Sequence, residues 1–350
     1  MSVTSEFFGK TRDGKDVICY TITNKNGMSA VIMNYGANLK NLYVPGKKGK
    51  VDDVVIGYDK LWMYFANGSN FGCTIGPVAN RTANAQYKLN GKTVKMAVND
   101  HKINNLHTDL KNGFQRRIWD AEIGKNYVDF SLVKKNGDLC AGTMKVSVRY
   151  TLTDKNELKL TYHAESDKDA AINMTNHSYF NLSGQKSMSI LDTKMTIFAD
   201  QITEVDKRMI PTGKLIDVKG TPFDFNAAKK IGRDIEKTEN DQLKKGHGYD
   251  HNYVVKGYNG KMRKIAVAED AKSGRSMEVY TDLPGVQFYS GNWIAENNGK
   301  EGYKNGRRKG FCLETQYFPD AMNQDNFEKP VFGPGRNYDT ETVYRFYWTD

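Results

Sequence analysis

Two of the six histidines sit in polar surroundings suited to proton transfer. His177 lies in Thr175-Asn176-His177-Ser178-Tyr179-Phe180-Asn181-Leu182, a titratable ring flanked by asparagines and followed by aromatic residues. A ring that is partly buried yet hydrogen-bonded keeps its pKa near neutrality, where it can give and take a proton. His107, in Asn104-Asn105-Leu106-His107, shares that setting. A satisfied structural histidine has the same features, so neither residue decides alone. Glu314 is the second ingredient, in Phe311-Cys312-Leu313-Glu314-Thr315-Gln316-Tyr317-Phe318-Pro319-Asp320. On a strand, Leu313 and Thr315 point away and Glu314 shares its face with Cys312 and Gln316. Desolvation on that face raises the carboxyl pKa and makes a stronger base than an exposed Glu. An exposed or ion-paired carboxylate is the alternative. Asp250, in Gly248-Tyr249-Asp250-His251-Asn252-Tyr253, is a third polar group among aromatics.

The elements that must hold these groups read as strands. Val146, Val148, Tyr150 and Leu152 alternate with polar residues, Thr153 to Asn156 turn the chain, and Leu158, Leu160 and Tyr162 resume the period of two. Similar strands are predicted at 17–23, 29–33, 38–44, 264–268, 276–281 and 342–348. Helix is scarce, with short candidates at 60–66 and 227–235. The pattern predicts an all-β protein, a large antiparallel β-sandwich. No linker, low-complexity tract or repeat divides the chain, so residues 1–350 are expected to form one domain.

Composition narrows the class. The 350 residues are 39% hydrophobic and 26% charged, typical of a globular protein. No apolar run suggests a signal peptide or membrane helix, and four scattered cysteines without paired spacing suit a reduced cytoplasm. The net charge of +10 raises nucleic acid as a partner, but the basic stretches at 47–50 and 307–309 are short and glycine-flanked, which reads as solvated turns.

Taken together, these segments resemble the aldose 1-epimerase (galactose mutarotase) family. The strings 176–182 and 312–323 are close to that family's, and Val78-Ala79-Asn80-Arg81, Asn105-Leu106-His107, Tyr249-Asp250-His251-Asn252 and Gly285-Val286-Gln287-Phe288-Tyr289 follow in its order. The resemblance implies a β-sandwich of the galactose mutarotase type that interconverts the anomers of free aldohexoses such as galactose and glucose. No metal or cofactor is implied, and the partner is a small monosaccharide bound by a monomer or homodimer. It further implies Glu314 as general base and His177 as general acid, with Asn80, Arg81, His107, Asp250 and Gln287 binding sugar. Such chemistry needs a base at the C1 hydroxyl and an acid at the ring oxygen, acting from different sides of the ring. Phe288 or Tyr249 would offer an aromatic face to the sugar.

Two departures stand out. Pro77 replaces an Arg before the Val-Ala-Asn-Arg string, and Thr108-Asp109 replace a Gly pair after His107, a change expected to alter preference among sugars. Other readings remain open. A hexose-phosphate epimerase would need extra Arg or Lys at the pocket mouth. A glycoside hydrolase would use Asp250 and Glu314 as its carboxylate pair. A non-catalytic carbohydrate-binding sandwich would need no acid/base pair. His247 and His251 have a zinc-like spacing, but Gly246 and Gly248 argue against the helix that it requires.

Overall fold

The computed structural model describes residues 2–349. Three large sheets dominate them: a five-stranded sheet from residues 2–53, a nine-stranded sheet, and a second five-stranded sheet that carries the site. Pairing within them is antiparallel throughout. The predicted hairpin forms the middle of the long sheet as Met144–Leu152 and Glu157–Ser166, with burial alternating along both strands. Its inward Val148, Tyr150, Leu158 and Leu160 are fully buried, each worth roughly 1.5–3 kcal/mol of desolvation. The strand Tyr338–Trp348 lies between Glu157–Ser166 and Arg275–Thr281 and joins the two halves of the long sheet.

Inward side chains of all three sheets merge into one apolar core that includes Ile32, Leu42, Phe130, Phe288 and Phe346. Tyr20 meets Phe130 edge-on at 5.6 Å, which seats the first sheet on the long one. The site sheet is tied to the same core where the Tyr344 hydroxyl donates to the Leu313 carbonyl at 3.2 Å.

A buried ion pair fastens the 297–305 loop to the first sheet. The Lys300 ammonium donates to Asp53 at 2.7 Å, to the Val55 carbonyl at 2.7 Å and to the Lys40 carbonyl, and both charged side chains are 1% exposed. Replacing Lys300 with Met leaves the Asp53 carboxylate buried without its counter-charge. Urea unfolding is therefore expected to show a loss of about 3–5 kcal/mol. A variant as stable as the parent would show that the loop is held by other contacts.

The helix expected at 60–66 is present as Leu61–Ala66. The one expected at 227–235 is not: the segment forms a two-residue strand, Lys229–Lys230, and a 3-10 turn, Ile231–Arg233. Lys229 is drawn inward onto Asp234 at 2.8 Å, and Gly232 fits so close to Leu191 that a Cβ there would lie 2.9 Å from its side chain. The second helix is Asp241–Gly246, started by the Asn240 side chain accepting from the Leu243 amide at 3.1 Å. The 307–309 stretch also departs from expectation, because Arg308 is buried and ion-paired to Glu236 rather than solvated. No helix among the described residues is long and apolar enough to cross a membrane.

Candidate active site

In the site sheet, Asp250–Val255 pairs with Gly285–Tyr289, which pairs with Cys312–Gln316. Register aligns Asn252, Gln287 and Glu314 in one row across the three strands, and Asp250, Tyr289 and Cys312 in the next. Since alternate residues share a face, polar groups collect on one side while His251, Phe288 and Leu313 point to the core. Gly285 is required here, because a Cβ would lie 2.5 Å from the Asn252 side chain. Gln316 extends the polar face. Asn80 donates to Gln316 at 3.2 Å, Gln316 to Asn252 at 3.0 Å and to Gln287 at 3.3 Å, and Gln287 to Asp250 at 2.8 Å.

His177 enters from a connecting segment. Its amide donates to Cys73 and its carbonyl accepts from Gly72, both at 2.9 Å. Gly72 has φ +71 and lies against the Leu39 carbonyl, 2.2 Å from where a Cβ would stand, so only glycine makes this approach. Phe180 and Phe311 exchange backbone hydrogen bonds and fix His177 relative to the Glu314 strand. Nε2 of His177 lies 3.6 Å from Oε2 of Glu314.

Arg81 and His107 arrive on a two-residue antiparallel pair in which Arg81 faces Leu106. His107 donates its amide to the Asn80 carbonyl at 3.0 Å and accepts the Asn80 amide on Nδ1 at 3.1 Å. The Arg81 guanidinium stands between Asp100 at 3.6 Å and Asp250 at 3.8 Å, and among the described residues its terminal nitrogens make no hydrogen bond. It therefore has donors to spare for a ligand.

All seven residues singled out from the sequence line one cavity of about 180 Å³: Asn80, Arg81, His107, His177, Asp250, Gln287 and Glu314. Two larger grooves, of about 860 and 870 Å³, contain no histidine and no such pair. Tyr179, Tyr289 and Trp293 supply the cavity's aromatic surface. Phe288 and Tyr249 do not: both are fully buried and stack on each other 5.2 Å apart in the core. Thr108 and Asp109 are not among the residues lining the cavity, and the Thr108 hydroxyl braces the loop, bonded to the Val78 amide and carbonyl at 2.9 and 2.8 Å. Gln316, Asn252 and Asp100 were not singled out, although Gln316 was visible as sharing the Glu314 face.

Burial sets the protonation of the pair. It pushes His177 down to about 4, below the near-neutral value expected from its sequence. Burial, then Asp250, pushes Glu314 well above the usual carboxylate range, with Arg81 opposing. Both shifts favour the uncharged forms, so the pair holds one proton. Asp250 is raised by burial against the pull of Arg81 and Gln287, and His107 is held well below its ordinary value by burial, His177 and Arg81.

Donor atoms of His107, His177 and Glu314 lie within 4.8 Å of one another, close enough to surround a small cation. The His107 tautomer opposes that use. The Asn80 amide donates to Nδ1, so a neutral His107 carries its proton on Nε2, whereas a metal ligand needs a lone pair there. His247 and His251 form no site either: His247 follows the helix end at φ 53, and His251 points into the core beside Phe223.

A buried carboxyl and imidazole side by side in a small polar cavity define an enzyme site. The aldose 1-epimerase family model matches residues 19–345. Galactose mutarotase from Bos taurus is 38% identical over 348 residues, covering 99% of each chain, and aldose 1-epimerase from Escherichia coli is 34% identical over 341 residues, covering 95% of this chain and 96% of its own. The crystal structure of an aldose epimerase homologue from C. elegans superposes with a TM-score of 0.84 at 28% identity, covering 99% of this chain and 100% of that one. The chain belongs to the aldose 1-epimerase family, whose members are isomerases acting on the anomers of an aldose.

Proposed function

We propose that this protein interconverts the α and β anomers of free aldohexoses, galactose and glucose among them, with Glu314 as base and His177 as acid. The carrying observation is the 3.6 Å contact between the two groups at a pocket that also holds Arg81, His107, Asp250 and Gln287. A hemiacetal's hydroxyl and ring oxygen are bonded to the same carbon, so the groups that serve them must be neighbours. With 3.6 Å between them, each can serve its own oxygen of one bound hemiacetal. Glu314 takes the C1 hydroxyl proton while His177 protonates the ring oxygen, and the C1–O5 bond breaks. The aldehyde rotates about C1–C2, presents its other face, and closes as both transfers reverse. The reactive ion pair has the same single proton as the neutral resting pair, so it is reached by moving that proton across the contact. Arg81 and His107 donate to sugar hydroxyls, and Asp250, oriented by Gln287, accepts from one.

Residues from Gly68 to Glu314 line this pocket, which supports one domain as the working unit. The four cysteines are unpaired, in keeping with a reducing, cytoplasmic setting. A phosphorylated substrate is disfavoured because, among the described residues, Arg81 is the one Arg or Lys that lines the cavity.

The test is optical rotation of freshly dissolved α-D-galactose, α-D-glucose and glucose 6-phosphate with catalytic protein. Faster decay to the spontaneous end point is expected for the first two. Acceleration of the phosphate ester alone would overturn the substrate reading. Asp250→Asn is expected to raise KM about tenfold while kcat changes less, because it weakens one hydrogen bond to substrate. Loss of kcat at unchanged KM would favour the paired-carboxylate hydrolase.

A further inference from the structure

A thiol stands behind the acid of the pair. Cys312 lies two residues before Glu314 on one strand, so both side chains belong to the polar face. Its Sγ is 3.5 Å from Nδ1 of His177, while Glu314 is at Nε2 of the same ring. Tyr179 stacks on that ring with centroids 5.0 Å apart, and His107 meets it edge-on at 5.3 Å. Arg81 and Asp250 line the same cavity. Cys312 is wholly buried, and burial followed by the Glu314 and Asp250 charges pushes its pKa well up against a hydrogen bond from Tyr179, so the sulfur stays a neutral thiol.

Which nitrogen of a histidine does the chemistry is set by the hydrogen bond at the other nitrogen. A carboxylate in that position also stabilises the imidazolium and so weakens it as an acid. A neutral sulfur orients the ring with little such effect, since it is a weak acceptor.

We propose that Cys312 is a positioning residue for the epimerase reaction: its sulfur accepts the Nδ1 proton of His177 and reserves Nε2 for exchange with the sugar ring oxygen. The proposal rests on the reading of His177 as the acid. Through a full turnover Nδ1 keeps its proton and Nε2 alternates. In the resting pair Glu314 holds the shared proton and the free Nε2 stands 3.6 Å from its carboxyl, so the same tautomer serves both stages.

The decisive measurement is nitrogen NMR of protein labelled with ¹⁵N-histidine, with the His177 signals assigned by their loss in His177→Asn. The wild type is expected to carry the His177 proton on Nδ1 near neutral pH. Cys312→Ala should mix the two tautomers and lower kcat roughly 5- to 20-fold with KM within about twofold. Cys312→Ser, which restores an acceptor, should recover the single tautomer and most of kcat. A wild-type proton on Nε2, or Cys312→Ala with wild-type tautomer and kcat, would overturn the proposal. Should the Ala variant fail to fold, the wild-type and Ser spectra decide. Full turnover in His177→Asn would instead remove the acid reading itself, whatever the Cys312 variants do.

Discussion

Glu314→Gln is expected to cut kcat by about 10²- to 10⁴-fold with little change in KM. Gln has the shape of Glu and can still hydrogen-bond a sugar hydroxyl, so binding persists. It cannot take the C1 proton. Bulk water is a poor substitute, because Glu314 is 2% exposed at the cavity floor and a closed hexose would cover it. The folded state should not suffer, since the substitution removes a carboxyl that burial and Asp250 both work against. Optical rotation of galactose measures the rate, and a thermal melt controls for folding. A variant within about tenfold of wild type would move the base elsewhere, with Asp250 the first alternative.

His177→Asn should cost at least about 10² in kcat and also remove the acid limb of the pH profile. In the wild type, turnover needs one proton on the pair. A second proton gives a buried positive charge, which burial resists until about pH 4, the value to which His177 is depressed. Loss of the last proton leaves the Glu314 carboxylate alone, which burial and Asp250 delay to well above the ordinary carboxylate range. The sign is therefore a fall in kcat/KM on both sides of a plateau, the acid fall near pH 4 and the alkaline fall far above it. Initial rates corrected for spontaneous mutarotation over about pH 4 to 9 test this. A peak confined to acid solution would contradict the shared-proton account.

Sheet strands with one face toward polar surroundings were legible because their side chains alternate, as in Met144–Leu152. The strands that build the site were harder. Gly285–Tyr289 and Cys312–Gln316 are buried along their whole length, so burial does not reveal the period of two, and the face of Glu314 followed from taking the segment as a strand. His177, His107, Glu314 and Asp250 stand out in their local strings and Asn80, Arg81 and Gln287 came with the family resemblance, but nothing local says that the 80–81 and 105–107 segments cross through the Asn80 and His107 backbones. His177 was misjudged in its acidity because sequence neighbours do not reveal that Tyr179 and the Glu314 strand close over it. The helix at Asp241–Gly246 was missed although its signals were present, Asn240 to cap it and Gly246 to end it.

The place of the strand Tyr338–Trp348 in the middle of the long sheet bears on how the molecule is made. A ribosome delivers residues in order, so the strands on either side of it, Glu157–Ser166 and Arg275–Thr281, emerge with facing edges and nothing yet to join them. Until that strand is released, each edge is a template for pairing with another nascent chain. The long sheet should therefore close only after that strand, the last of its strands in chain order, has been made, with a window in which a holding chaperone has two bare edges to shield.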